Sequence, residues 1–277
     1  MKGIFSAELK RSFANRSFLI SLIVSLILVI WYALYRLPFC VQHNYQFAKD
    51  MMMGNYFEIS YTNWLGSHNL YLPQSIYYFI FPFLAVLPFG GSFYSDIQSG
   101  TIKNVLIRTK KKSYLMAKYI SVFISGGVSA VIPLVVSFLV STAVLPTMSP
   151  ESTYYFTNIF STCRWADLLF TAPILYTLLN ISVQFIFAGF LACMSLSVSF
   201  YSSKLFLPLL YPFFIYISFS LVCELFGAEN YSMRYMLTNT GTDISTASVC
   251  LMAVLLFLLS FFPFFIMGLK KEAIQYA

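Results

Sequence analysis

Residues 18–35 read FLISLIVSLILVIWYALY, an apolar run that is interrupted only by Ser21 and Ser25. A helix of about 20 apolar residues is long enough to cross the hydrocarbon core of a bilayer. A cleaved signal peptide has a shorter apolar region and a small-residue cleavage site, and neither feature is present up to and just after Tyr35. The run therefore predicts a retained transmembrane helix over residues 18–36.

Five similar runs follow, and they predict spans at residues 74–95, 119–145, 172–200, 205–226 and 247–269. Hydrophobic residues make up 59% of the chain and charged residues only 10%, whereas soluble proteins carry about 25% charged residues. The apolar excess predicts contact with lipid. We therefore expect an all-α integral membrane protein with six transmembrane helices in a single domain, 1–277, and outer segments at 38–72, 146–167 and 227–246.

The distribution of basic residues predicts the orientation. Cytoplasmic segments retain more Lys and Arg than outer ones. With the N-terminus inside, the inner segments hold most of the 17 basic residues, and the outer segments hold only Arg36, Lys49, Arg164 and Arg234. Both termini are therefore expected in the cytoplasm. The composition, with more Lys than Arg and with many Phe and Tyr residues, is typical of a low-GC bacterium, so the expected location is the cytoplasmic membrane.

The leader before the first span predicts a helix that lies along the membrane surface, over residues 1–16. Ile4, Phe5, Leu9 and Phe13 share one broad side of such a helix, and Lys10 and Arg11 face away from it. A merely polar leader remains the alternative.

Small and polar residues inside the spans predict close helix packing. Ser121, Ser125, Ser129 and Ser137 lie at intervals of four or eight residues, and small residues at such spacing let helices approach closely in lipid. Asn180 and Gln184 are the strongly polar side chains in the middle of a span, and hydrogen bonding between helices accounts for them as well as a ligand does.

The absent motifs argue against an enzyme. The sequence contains no GxxxxGK[ST] phosphate loop, no HExxH and no GxSxG. The five cysteines include no CxxC pair, so no metal site is expected, and no cofactor is expected on this chain. Cys40 and Cys163 both fall in outer segments, where either a disulfide or two separate thiols is compatible with the sequence. The basic residues cluster between apolar runs, which argues against a nucleic-acid partner.

The most informative connection is FYSDIQSGTIKNVLIRTKKKSYLMAKY, residues 93–119. Ser99 and Gly100 predict a turn, and Thr101 can cap a short helix with Ile102, Val105 and Leu106 on one side. Two interpretations are open for it: a surface helix that a partner moves, or a basic loop that anchors to lipid head groups.

This connection resembles the segment between spans two and three of the ABC-2 type permease family, the membrane subunits of ABC exporters. The residues that carry the likeness are Asp96, Ser99, Gly100, Thr101, Leu106, Thr109, the basic run, Tyr114, Leu115, Ala117 and Lys118, with Glu8, Leu9 and Lys10 in the leader. The family also has six spans, with both termini inside and a surface helix before span one.

The resemblance implies a coupling helix that docks on a separate ATP-binding subunit, which would hold the ATP and Mg²⁺. The coupling residues would be Asp96, Ser99, Gly100, Thr101, Ile102, Val105, Leu106 and Arg108. A second permease subunit, identical or different, would complete the transporter. The substrate path would be lined by spans two and five, and the candidates are Phe79, Phe81, Phe83, Phe206, Tyr211 and Phe214.

An interior with few charges suits an amphipathic or hydrophobic substrate such as a peptide antibiotic, a lipid or a drug. The alternative function is a non-transporting membrane scaffold or sensor with a cytoplasmic partner. The long outer segment 38–72 is expected to pack on the outer leaflet or to cap the exit.

Overall fold

The computed structural model describes residues 2–50, 58–67, 71–149, 164–238 and 244–270. These residues form helices, turns and connecting segments, with no β-strand among them. Two predictions fall outside this part of the chain. They concern the predicted outer segment 146–167, of which residues 150–163 with Cys163, the possible partner of Cys40, are not described, and the C-terminal residues 271–277.

The described residues contain eleven α-helices, here numbered in chain order, and one 3-10 turn at Glu229–Tyr231. Their bounds are α1 Lys2–Phe13, α2 Arg16–Asp50, α3 Leu72–Val86, α4 Ser92–Gln98, α5 Thr101–Arg108, α6 Lys111–Val144, α7 Ala166–Thr171, α8 Pro173–Val198, α9 Phe206–Leu225, α10 Met233–Thr238 and α11 Thr246–Lys270.

Five of these helices, α2, α6, α8, α9 and α11, are long and apolar enough to cross a membrane. Helices that satisfy all their backbone hydrogen bonds internally are one of the two structures that can span lipid. The fold is therefore consistent with an all-α membrane protein, as the sequence predicted.

The predicted second span, 74–95, is not one continuous helix. Helix α3 ends at Val86, and α4 begins only at Ser92. Between them lie Pro88, which lacks a backbone N–H, and the Gly90–Gly91 pair, which disfavours helix. The 15 residues of α3 extend about 22 Å, which is shorter than the hydrocarbon core. A sixth crossing therefore stays a prediction.

Helices α2 and α6 are longer than the spans predicted for them. Helix α2 continues through Pro38 to Asp50, where the sequence predicted an outer segment from residue 38, and α6 begins at Lys111 rather than at 119. Each has at least 34 residues and so extends about 50 Å, well beyond a hydrocarbon core of about 30 Å. Hydropathy marks where the apolar residues end, whereas the helix continues through its polar flanks.

Helix α8 lies at the centre of the bundle and packs against α3, α6, α7, α9 and α11. A Cβ added at Gly126 of α6 would lie 2.5 Å from the Cβ of Ala192 of α8, so these two helices pack at very close range. Ser129 donates a hydrogen bond to the carbonyl of Leu84 in α3, at 3.2 Å. The predicted packing role of the small residues in α6 is confirmed.

The described part of the first outer segment, 58–67, packs against α2 and α6. Trp64 and Leu65 are buried in the core. Arg36 of α2 forms an ion pair with Glu58 at 2.6 Å, and Ser141 of α6 donates to the carbonyl of Asn63 at 2.6 Å. This part of the segment is therefore fixed to the end of the bundle opposite α4 and α5.

Candidate functional site

A cluster of charged and polar side chains, four of them buried and one exposed, joins three helices at one end of the bundle. Glu8 and Arg11 come from α1, Asp96 from α4, and Tyr114 and Lys118 from α6. Side chains three or four residues apart lie on the same side of a helix, which brings Glu8 to Arg11 and Tyr114 to Lys118. These five residues are called the charge cluster below.

Asp96 lies at the centre of the charge cluster and is only 1% exposed. Its Oδ2 accepts hydrogen bonds from Lys118 Nζ at 2.6 Å and from the Tyr114 hydroxyl at 3.0 Å. Its Oδ1 lies 2.6 Å from Arg11 Nη2. One carboxylate in a short helix therefore holds the side chains of α1 and α6 together.

Lys118 is fully buried and has two carboxylates around it. Its Nζ lies 2.6 Å from Asp96 and 3.0 Å from Glu8 Oε2, and 4.4 Å from the centre of the Phe89 ring. A buried ammonium is tolerated only where it is paired. Two acids and two bases make the charge cluster neutral, which is the condition for burying it.

The electrostatics keep Asp96 ionised. Burial by itself would raise the pKa of this carboxyl group, but Lys118 and then Arg11 outweigh that effect and lower the pKa below its ordinary value. At neutral pH the Asp96 carboxyl group in the charge cluster therefore stays ionised.

Gly100 forms the connection from α4 to α5. Its φ is +66°, in the left-handed region that glycine adopts without steric cost. It occupies the N-cap of α5, and Thr101 is the first helical residue, with its hydroxyl 2.7 Å from Ser99 Oγ. The prediction that the Thr101 side chain caps this helix was wrong, because no side chain bonds to the free N–H groups there.

Helix α5 turns its predicted apolar side toward the bundle. Ile102 is buried beside Phe93, and Val105 and Leu106 are half-buried against the same core. The side that faces away carries Lys103, Asn104, Ile107 and Arg108, and Ile107 is 82% exposed. The apolar residue that a partner could reach is thus Ile107, which the sequence analysis did not single out.

Helix α1 follows its predicted orientation in part, since Lys10 and Arg11 are exposed and the predicted apolar residues are half-buried. Glu8 and Ser12, one turn apart, are buried against the bundle, and α1 packs on α6. Arg11 was expected to face away from the buried side of this helix, but its guanidinium reaches Asp96. The ion pair therefore joins α1 to α4 through a side chain that is itself exposed.

The candidate path residues do not form one surface. Helices α3 and α9 pack side by side. Phe79, Phe206, Tyr211 and Phe214 are exposed, Phe83 is half-buried, and Phe81 is fully buried against Tyr77 and Tyr78. Phe79 contacts Phe213 of α9 at a ring distance of 5.4 Å. Phe81 therefore belongs to the core of the chain rather than to a surface.

The two polar side chains in the middle of α8 have partners on neighbouring elements. Asn180 accepts a hydrogen bond from Arg164 at 2.8 Å, and Gln184 accepts one from the Tyr78 hydroxyl at 3.2 Å. Bonding across elements was one of the two interpretations of these residues. Burial lowers the pKa of Arg164 to about 10.

Within the described residues, no group of three His, Cys, Asp or Glu side chains is placed to hold a metal ion.

The sequence analysis noted Glu8, Tyr114 and Lys118 in the motif but gave them no role. Glu8 and Lys118 are 110 positions apart along the chain, so no local pattern reveals that they touch. The available signal was a lysine at the start of an apolar run, one helical turn after a tyrosine.

Comparison with known proteins finds no matching family model, no matching curated protein and no matching solved structure.

Proposed function

We propose that this chain is the permease subunit of an ABC transporter, in the cytoplasmic membrane of a bacterium. In this proposal it has six transmembrane helices, with both termini in the cytoplasm. It exports an amphipathic or hydrophobic substrate, using ATP that separate subunits bind with Mg²⁺ and hydrolyse. The observation that carries the proposal is the charge cluster, because its Asp96, in the helix directly before α5, is bonded to side chains of α1 and α6.

The connection runs through short and stiff contacts. Helix α5 is joined to α4 by two residues, Ser99 and Gly100. The Asp96 carboxylate of α4 bonds to Lys118 of α6 at 2.6 Å and contacts Arg11 of α1 at the same distance. A partner that displaces α5 would therefore also displace α1 and the start of α6. Distant sites can be coupled through packed side chains and ion pairs in elements that have only a few discrete arrangements.

The exposed side of α5 fits a partner with an apolar slot and an acidic rim. Ile107 projects from this side, and Lys103 and Arg108 flank it. Charge complementarity of this kind steers association, while a buried apolar anchor provides most of the affinity. An ATP-binding subunit with these features is the partner that we propose.

A second permease subunit, identical or different, would cover the side formed by α3 and α9. Four of the six candidate path residues are exposed aromatic side chains on these two helices. Such a surface suits a peptide antibiotic, a lipid or a drug better than an ion or a sugar.

The test is purification from the native host in mild detergent, with mass spectrometry of the co-purifying proteins. The variant Ile107→Asp changes the exposed side of α5 without touching the core. Leu225→Asp is the matched control, since Leu225 is 83% exposed and lies at the end of α9. We expect an ATP-binding subunit with the wild type and with Leu225→Asp, and its loss with Ile107→Asp.

A different result would favour the alternative function over the permease. If the protein purifies with a partner that is not an ATPase, or if Ile107→Asp retains the ATPase as well as the control does, the permease proposal fails. The scaffold or sensor would then become the first hypothesis.

A further inference from the structure

The cavity between α3 and α9, at the end of the bundle away from the charge cluster, is lined by polar groups that have no hydrogen-bond partner among the described residues. It has a volume of about 330 Å³, and its lining includes Ser75, Phe79, Tyr216, Ser220 and Leu221. Phe79 and Leu221 are each 53% exposed, so apolar side chains form its lip on the flank of the bundle.

Two buried hydroxyl groups line this cavity without a hydrogen-bond partner among the described residues. Tyr216 is 1% exposed and Ser220 is 6% exposed, and neither hydroxyl is bonded. Burying a polar group without a hydrogen-bond partner is unfavourable, and a ligand that supplies the partner removes that cost. Groups of this kind, placed in a wall of a cavity, are suited to a ligand that carries hydrogen-bond acceptors.

One charge of each sign lies at the end of the same cavity. Tyr216, Ser220 and Glu224 follow one another at steps of four residues, so they form a row along one side of α9. Arg234 of α10 also lines the cavity. No ion pair within 4.0 Å involves Glu224 or Arg234 among the described residues, so each is available to a ligand.

We propose that this cavity binds the head group of a zwitterionic aminophospholipid. The ammonium group of the lipid pairs with Glu224 and its phosphate with Arg234. The ester carbonyl groups accept hydrogen bonds from Tyr216 and Ser220, and an acyl chain leaves over Phe79 and Leu221. An occupant from the bilayer is favoured because the lip is apolar and exposed on the flank of this chain. A lipid reaches it there without entering water whenever no second subunit covers α3 and α9.

This proposal does not depend on an ATP-binding partner, so its failure and the failure of the permease proposal are separate results. The test is native mass spectrometry of the full chain in detergent, titrated with phosphatidylethanolamine and, separately, with phosphatidylglycerol. The wild type is expected to bind phosphatidylethanolamine about tenfold more tightly, because only this lipid provides the ammonium group for Glu224.

Two variants test separately how Glu224 and Arg234 contribute to lipid binding. Glu224→Gln is expected to remove the preference for phosphatidylethanolamine, and Arg234→Gln to weaken both lipids about tenfold. Glu229→Gln, which changes an exposed acid outside the cavity, is the matched control and is expected to bind like the wild type. Thermal unfolding of each variant verifies that the fold is retained.

Two outcomes would overturn the proposal. One is equal binding of the two lipids by the wild type, and the other is a preference that survives Glu224→Gln. Phosphoethanolamine without acyl chains tests the apolar part of the site. It is expected to bind at least about tenfold more weakly than the lipid, and equal binding would contradict a site for an amphiphile.

Discussion

Lys118 is fully buried, and the residues around it explain how a full charge is accommodated there. Its ammonium group lies between Asp96 and Glu8, at 2.6 and 3.0 Å. Removing one member of a buried ion pair leaves the other members without a counter-charge, which costs more than the pair itself contributes. Removing one charged member of the charge cluster is therefore expected to lower the stability of the fold strongly.

We expect Lys118→Met to lower the free energy of unfolding by about 3–5 kcal/mol, because two buried carboxylates then face one remaining cation. Chemical unfolding in detergent micelles measures this. Lys112→Met, on the exposed side of the same helix, is the control and is expected to change stability by less than about 0.5 kcal/mol. Equal effects of the two substitutions would show that the charge cluster is not formed.

The pH dependence of stability tests the same site through Asp96. Its folded-state pKa is lowered below the ordinary value, so its contribution is present above that ordinary value and is lost as the pH falls through the folded pKa. The wild type is therefore expected to be more stable than Asp96→Asn at neutral pH. The difference should shrink on acidification below about pH 4, and thermal unfolding across pH measures it. A difference that grows as the pH falls would contradict the ion pairing.

At the scale of single elements, α5 depends on the left-handed conformation of Gly100. A Cβ at this position meets no neighbouring atom, so the cost of a side chain is conformational and not steric. Gly100→Ala is expected to destabilise α5 locally by about 1 kcal/mol. Hydrogen exchange measures this as about fivefold faster exchange of the amides of Thr101–Arg108.

Gly3→Ala is the control for that experiment. Gly3 is exposed within α1 and has open space around its Cα, and alanine favours helix by about 1 kcal/mol relative to glycine. The exchange of α5 amides should be unchanged in this variant. Unchanged exchange in Gly100→Ala as well would mean that the turn does not determine the position of α5.

Most of the long helices could be predicted from the sequence, and their ends and contacts could not. The apolar runs located α8, α9 and α11, because each of these helices is apolar along nearly its whole length. The ends of α2 and α6 were missed, because helix continues where hydropathy stops. The helix break after Val86 is explained by Pro88 and the two glycines. The sequence analysis nevertheless predicted one continuous span there, because the residues on both sides of the break are apolar.

The candidate site was predictable only in part, because local patterns are visible in the sequence and contacts between distant residues are not. The turn at Gly100 and the apolar side of α5 follow from local composition. The role of Lys118 does not, because its partners Glu8 and Asp96 are distant in the sequence. Only tertiary packing shows that α5 turns its apolar side to the bundle and exposes Ile107.

For the whole molecule, the proposed topology predicts which end of the bundle faces the cytoplasm and which faces the outside. In a background with Cys163 and Cys250 replaced by serine, Asn104→Cys in α5 and Leu225→Cys at the end of α9 report on opposite ends of the bundle. We expect a thiol reagent that does not cross membranes to label position 225 in intact cells and position 104 only after lysis. Labelling of both positions in intact cells would contradict a cytoplasmic α5.

The most direct test of the account is a photo-crosslinking amino acid at position 107 in the native host, with position 225 as the control and mass spectrometry of the products. We predict that position 107 crosslinks to a protein with a phosphate-binding loop, and that position 225 does not. Crosslinks from position 107 to lipid alone, or to a partner without such a loop, would contradict the claim that α5 couples this chain to an ATPase.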